Sequence, residues 1–152
     1  MRLQPIGVIR SPFKIKEEAP RQGRLADAPG QLEIYPQYAP GLKNMAGQSH
    51  LFVLYWCHLA ERDSLIVHPP WAESARGVFT TRSPNRPNPI ALDVVELLAL
   101  EGNTLHVRGL DALDGSLLLD IKPYSSDLDS IPGVQIPWSQ RVAEAGRHDT
   151  SK

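Results

Sequence analysis

The sequence predicts a single, mainly β domain, and three observations carry that prediction. Short apolar runs at 6–9, 32–35, 51–57, 65–67, 78–81, 94–100, 104–110 and 117–121 are each bounded by Gly, Pro, Asn or Asp, the punctuation of strands and tight turns. The 14 prolines in 152 residues, about twice the usual share, oppose a helical bundle and protect strand edges. Gly102-Asn103 separates two β-like runs and is a two-residue hairpin signal.

Taken in order, Ile6 to Ile9 opens the series, and the run at 32–35 follows a polar, proline-containing stretch. LFVLYWC at 51–57 is a continuous apolar run and is read as a strand. The β-branched run at 78–81 is read as a strand, as are 65–67 and 94–100. Leu105 and Val107 alternate with Thr104, His106 and Arg108, the pattern of a half-buried strand. Asp114-Gly115 marks a second reversal, between 107–113 and 117–121. Helical periodicity is scarce, with one turn expected at 40–47 and a short helix at 139–146. The domain is expected to span 1–140 and to end in a polar tail at 141–152.

A chain of this length supports one hydrophobic core. No run is long enough to cross a bilayer and MRLQPIGVIR has no signal-peptide core, so no membrane partner and a cytoplasmic location are expected. The one cysteine, Cys57, has no internal disulfide partner. A net charge of -1 gives no global attraction for a polyanion, leaving a local cluster, Arg10, Lys14, Lys16, Arg21 and Arg24, as the candidate basic patch. No glycine pattern suggests a Rossmann site. His50 and His58 are eight residues apart but lack a third ligand at metal spacing, so no metal is expected, and His50, His68 and His106 are read as structural or solvent-facing. Ser83 has no evident base for a nucleophile's role.

The segment RGVFTTRSPNRPNPIALDVVEL at 76–97 packs three prolines and three arginines between apolar runs. Pro84, Pro87 and Pro89 fix their own φ and push Ser83, Arg86 and Asn88 toward extended geometry, which makes a stiff loop. Arg82 and Arg86 are then preorganised forks suited to carboxylate or phosphate.

This segment resembles the motif of the TsaA-like (TrmO) methyltransferase family, usually of the form GVFATRSPxRPNPIGLSVV. IGVIRSPFK at 6–14, PRQ at 20–22, GQLEIYPQY at 30–38, SHLFVLYWCH at 49–58 and LDALDGSLLLDIKPY at 110–124 match further family segments in the same order. The resemblance implies a compact β-barrel-like sheet, a homodimer and methyl transfer from S-adenosyl-L-methionine. It implies cofactor contacts from Pro20, Arg21 and Gln22, from His58 and Leu59, from Arg82 and Leu92, and from the turn Ala112, Leu113, Asp114 and Gly115. Candidates for orienting or deprotonating the acceptor are Asp120, Lys122, Tyr124 and Asn88, with Asp120 and Lys122 also readable as a plain ion pair on one strand face. The implied acceptor is N6 of threonylcarbamoyladenosine beside a tRNA anticodon. Neutral charge, and an end soon after the last shared segment where longer bacterial members carry another domain, favour the alternative of a small-molecule acceptor. A noncatalytic S-adenosylmethionine-binding regulator is a third reading. Ala91 replaces the usual Gly of RPNPIG, a departure that matters if φ > 0 is needed there.

Overall fold

The computed structural model describes residues 1–136, so the helix expected at 139–146 and the tail at 141–152 lie outside the described residues. Six strands close into an antiparallel barrel in the order β1 (Gly7–Arg10), β2 (Pro29–Ile34), β7 (Thr104–Arg108), β6 (Ile90–Glu101), β3 (His50–Trp56) and β8 (Leu117–Pro123), the last returning to β1. Closure follows from side-chain alternation: one face of every strand is apolar enough to fill a shared interior, and a closed sheet has no free edge. Ile9, Leu32, Leu51, Val53, Leu105, Val107 and Leu118 are fully enclosed there. Each such side chain contributes about 1.5–3 kcal/mol by leaving water.

Two register shifts let so few strands close. One lies between Leu97 and Ala99 of β6, dividing the stretch that pairs with β3 from most of the stretch that pairs with β7. The other places Tyr55 opposite Leu118 but Leu54 opposite Asp120, which keeps Leu118 and Ile121 turned toward the core on either side of the extra residue.

The expected hairpin at Gly102-Asn103 joins β6 to β7, with Gly102 at φ 59°. Two other expectations are corrected. The run at 78–81 is a 3-10 helix, Val78–Thr80, because Thr81 is buried and its hydroxyl bonds back to the Val78 carbonyl instead of leaving the chain free for a ladder. Asp114-Gly115 is a turn but not a hairpin: β7 pairs with β2 and β6, while β8 pairs with β1 and β3. The turn docks instead on β1 and the chain just after it, through Gly115 N–H to the Ile9 carbonyl and Asp114 N–H to that of Phe13. The run at 65–67 forms only the small ladder β4 (Ile66–Val67) with β5 (Arg76–Gly77). The helical turn expected at 40–47 falls earlier, as the 3-10 helix Pro36–Leu42, and one short helix, α1 (Ser126–Asp129), follows β8. No helix among the described residues is long and apolar enough to cross a membrane.

Because β1, β3 and β7 run parallel to one another, their C-terminal ends meet at one end of the barrel. The connections leaving that end, 11–28, 57–89 and 109–116, carry nearly every candidate cofactor residue. Two glycines seat the first connection on the third: a Cβ on Gly23 would lie 1.8 Å from the Gly109 carbonyl oxygen, and Gly109 itself has φ 104°. Gly23→Ala is therefore expected to force the two loops apart and lower unfolding stability by about 1–3 kcal/mol, the scale of an overpacked site. Urea unfolding followed by circular dichroism checks this, and a variant as stable as the parent would show that the loops do not depend on the close approach.

Candidate functional site at the loop end of the barrel

The proline segment is a rigid shelf built by its own side chains. Arg86 Nη1 donates to the carbonyls of Thr81 and Ser83, 3.1 Å each, so this arginine clamps the loop and is not the free anion fork that its sequence suggested. Ser83 N–H bonds Thr81 Oγ1 and Asn85 N–H bonds Ser83 Oγ, a succession of side-chain turns that fixes a stretch prolines had already stiffened. Pro89 is fully buried and its carbonyl accepts the Cys57 N–H. The chain after β3 is stitched to the same shelf through Glu61 N–H to Asn85 Oδ1 and Arg62 Nε–H to the Pro87 carbonyl, with the Arg62 guanidinium 5.1 Å from the Trp56 ring centre. This holds His58 and Leu59 at the barrel rim, both exposed.

Arg82 points from the shelf to the first connection, where Nη1 donates to Gln22 Oε1 at 3.1 Å. Segments sixty positions apart thus meet through an amide and a guanidinium, the pairing best suited to hold a carboxylate and its neighbouring polar atoms. Pro20 and Arg21 precede Gln22 between two short 3-10 helices, Lys16–Glu18 and Gly23–Leu25, with Arg21 exposed. The third connection is tied to the first. Ser11 Oγ donates to the Ala112 carbonyl at 2.6 Å, Ser11 N–H to Asp114 Oδ1 at 3.0 Å and Lys14 Nζ to Asp114 Oδ2 at 2.7 Å. The Lys14 bond, joined by that from Ser11, holds the half-buried Asp114 carboxyl below the usual range.

Beneath these loops lies a polar cluster that the sequence did not disclose. Asp93 of β6 faces inward opposite Val53 and is 4% exposed. Its Oδ2 accepts the Asp111 N–H at 3.1 Å, and Asp111 Oδ1 accepts the hydroxyl of Tyr55. Burial, then the charge of Asp111 and a bond between the two carboxyls, push Asp93 up to about 9, opposed by the Asp111 N–H and by Arg82. Burial and then the neighbouring carboxylates raise the Tyr55 phenol, and burial with Asp111 and Asp93 pushes the Cys57 thiol up to about 11 against the pull of Arg86. The missed signal was one acid inside an apolar strand, IALDVV, at a position of inward parity.

The remaining candidates are spread along the walls. Leu92 is on the outer face of β6, half exposed, opposite Leu54. Ala91 lies in regular strand opposite Tyr55, packed against the core and without positive φ, so the methyl that replaces the usual Gly strains nothing. Asn88 is exposed at the loop end, just before β6. Asp120 and Lys122 form an ion pair of 3.2 Å on the outer face of β8, and Tyr124 packs edge-on to Phe52 with ring centres 5.4 Å apart. His50 and His58 do not share a strand face, since β3 ends at Trp56. His50 and His68 are exposed and His106 pairs with Glu101. Among the described residues no group of three or more His, Cys, Asp or Glu is placed to hold a metal ion.

Comparison with known proteins places this arrangement. Residues 8–130 match the family model of the tRNA-methyltransferase O N-terminal domain. An S-adenosyl-L-methionine-binding protein of Archaeoglobus fulgidus is 55% identical over 86% of this chain and 94% of its own length. A second protein of that organism, named a probable S-adenosyl-L-methionine-binding protein, is 51% identical over 93% of this chain, which spans only 39% of it. The crystal structure of TrmO from Pseudomonas aeruginosa superposes with a TM-score of 0.75 at 36% identity, covering 90% of this chain and 62% of that one. The expected resemblance and the barrel are thereby both established, and the chain belongs to the TrmO family, whose N-terminal domain it carries.

Proposed function

We propose that this chain binds S-adenosylmethionine at the loop end of the barrel and transfers its methyl group to N6 of threonylcarbamoyladenosine beside a tRNA anticodon. The observation that carries the reading is the bond between Gln22 and Arg82, which unites two of the family's cofactor segments in one place. The residues suit the ligand: Arg82 and Arg21 offer cations to its α-carboxylate, Gln22 an amide to its polar edge and Leu113 apolar surface to its purine, with Leu92, on the outer wall, joining across a subunit interface. Bound, the cofactor supplies an activated methyl group. Displacement at that carbon asks the protein chiefly to align acceptor and methyl and to exclude water. The rigid shelf around Pro89 and the tethered turn at 112–115 provide such alignment without a large set of acid-base groups. Asn88, at the loop end, is placed to orient a polar acceptor. Asp120, Lys122 and Tyr124 stand on the outer wall, so a role for them requires the site to extend across a subunit interface.

Such an interface has a candidate face. Leu54 and Trp56 of β3 lie beside Leu92 and Ile90 of β6 on the outside of the barrel, and Ile90 and Leu92 are 38% and 48% exposed. We place the second copy of a homodimer here. Sedimentation equilibrium at tens of micromolar is expected to give a dimer, and Leu92→Glu a monomer; a monomeric parent would overturn this placement.

Arg82→Ala is expected to weaken S-adenosylmethionine binding by about 1.5–3 kcal/mol, the scale of a hydrogen bond to a charged group. Isothermal calorimetry measures it, and failure of the parent chain to bind at millimolar ligand would sink the cofactor assignment.

The basic patch expected for tRNA is thinner than its sequence count. Arg10 pairs with Glu33 at 3.4 Å and Lys14 with Asp114 at 2.7 Å, leaving Lys16, Arg21 and Arg24 exposed beside the site. That partial neutralisation favours the second reading, a small-molecule acceptor. Because Lys14 holds the turn, Lys16 and Arg24 are the cleaner probes. In the tRNA reading the double change Lys16→Glu, Arg24→Glu reduces methylation of threonylcarbamoyl-modified tRNA at physiological salt and leaves cofactor affinity nearly unchanged, since phosphate contacts supply affinity for the nucleic acid. Methylation that is equal in both proteins removes the patch, and none in either favours the small acceptor.

A further inference from the structure

A buried carboxyl group, Asp93, and the half-buried Asp111 that it meets beneath the loops have no place in the proposed methyl transfer. We propose that Asp93 and Asp111 form a proton-sharing carboxyl pair that holds the turn from Ala112 to Gly115 in place, which makes Asp93 a positioning residue for the S-adenosylmethionine site above it. The assignment rests on the reading of that turn as part of the cofactor site.

The geometry shows how the turn is held. Leu110 and Ala112, on either side of Asp111, are each 1% exposed, so the chain at Asp111 is pinned by two core side chains. Between them the Asp111 N–H is satisfied by Asp93 Oδ2 and its carboxyl by the Tyr55 hydroxyl. Ser11 then takes up the Ala112 carbonyl and Lys14 the Asp114 carboxyl. Asp93 is the anchor furthest inside the barrel. Removing it would leave the part-buried Asp111 N–H unpaired and the Asp111 carboxyl held by Tyr55 alone.

Two carboxylates in contact, one of them buried, cannot both be charged without a large desolvation and repulsion penalty, so one proton is retained between them. The charged and titratable groups facing the pair are Tyr55 and Cys57 from β3 and the chain just after it, and Arg82 and Arg86 from the proline shelf. The Tyr55 phenol is raised and Cys57 is pushed up to about 11, whereas Asp93 is pushed up to about 9. Of these three groups Asp93 ionises first as pH rises. In the unfolded chain an aspartate ionises near pH 4. Folding therefore takes up a proton between about 4 and 9, and stability falls as pH rises through that window and levels off above it. Near its upper edge the second negative charge drives the carboxyls apart and the turn loosens.

Asp93→Asn separates this role from mere packing. The amide keeps an oxygen for the Asp111 N–H and offers a permanent N–H to the Asp111 carboxyl, fixing the neutral arrangement at every pH. Asp93→Ala has neither. The test is calorimetric titration of wild type, Asp93→Asn, Asp93→Ala and Arg82→Ala with S-adenosylhomocysteine, the methyl-free form of the cofactor, from pH 7.5 to 10, with melting temperatures on the same samples. Asp93→Asn is expected to bind within about two-fold of wild type at pH 7.5, and the wild-type affinity to fall about five-fold or more relative to it by pH 10. Taking the ratio cancels the ligand's own titration. Wild-type melting should decline relative to Asp93→Asn over the same range, and Asp93→Ala should bind more weakly throughout. Arg82→Ala should weaken binding already at pH 7.5 and, because Arg82 opposes the rise of Asp93, move the alkaline fall to higher pH. A flat ratio of wild type to Asp93→Asn, or tight binding by a folded Asp93→Ala, overturns the pair. No binding by wild type at any pH would instead overturn the cofactor reading, and the melting comparison alone would then decide the pair.

Discussion

Closure of the barrel is the constraint on which the rest of this structure depends. Six strands can enclose Ile9, Leu32, Leu51, Val53, Leu105, Val107 and Leu118 only if β8 returns to β1, and that return fixes which strand ends are neighbours. Once β1, β3 and β7 run the same way, the long connections 11–28, 57–89 and 109–116 must leave from one end. No local preference of those loops brings Gln22 to Arg82 or Lys14 to Asp114; the register of strands far below them does. The core thereby positions the site as well as stabilising the fold.

The loops then lower their own ordering cost by different means. The shelf from Thr81 to Pro89 is stiffened through prolines and through Arg86, which satisfies two carbonyls of its own loop. The first and third connections have fewer prolines and are tied across the molecule, at Ser11, Lys14, Gly23 and Gly109. Only Arg82, among the shelf's arginines at 82 and 86, is left to face outward, and its partner Gln22 is a neutral amide that an anionic ligand can displace. A preorganised cation with an exchangeable neutral partner is a better receptor for a carboxylate than one already locked to an acid.

Much of the barrel was legible in the sequence because alternation and turn chemistry are local. Leu105 and Val107 against Thr104 and His106 announce one inward face, and Gly102-Asn103 announces the reversal before it. What was not legible depended on which strands become neighbours. VFTT at 78–81 has strand-like residues, yet Thr81 finds a backbone partner within its own turn and the segment winds into a 3-10 helix. Asp114-Gly115 reads as a hairpin turn, and only the insertion of β1 beside β8 shows that its partner is Ile9 and Phe13. Resemblance pointed to the segments at 20–22, 82 and 112–115; the structure bonds Gln22 to Arg82 and ties the turn at 112–115 to Ser11 and Lys14. Arg86 was misjudged because a guanidinium's preference for anions is visible in sequence, whereas two carbonyls offered by its own loop are not.

The carboxyl pair beneath the loops adds a point about the family motif itself. In its usual form, GVFATRSPxRPNPIGLSVV, the positions of Ala91 and Asp93 are Gly and Ser, and in this chain the two differ together. Both project from β6 into the barrel beside Tyr55, so they share one environment. Ala91 adds a methyl to the core, while Asp93 adds a carboxyl that burial alone would disfavour. That carboxyl is tolerated because Asp111, held between Leu110 and Ala112, presents both an N–H to bond it and a carboxyl to share its proton. A serine at the same place could meet the N–H but would carry no charge to be regulated by Asp111, Tyr55 and Arg82. With aspartate at this position, the hydrogen bond under the turn at 112–115 comes from a titratable group.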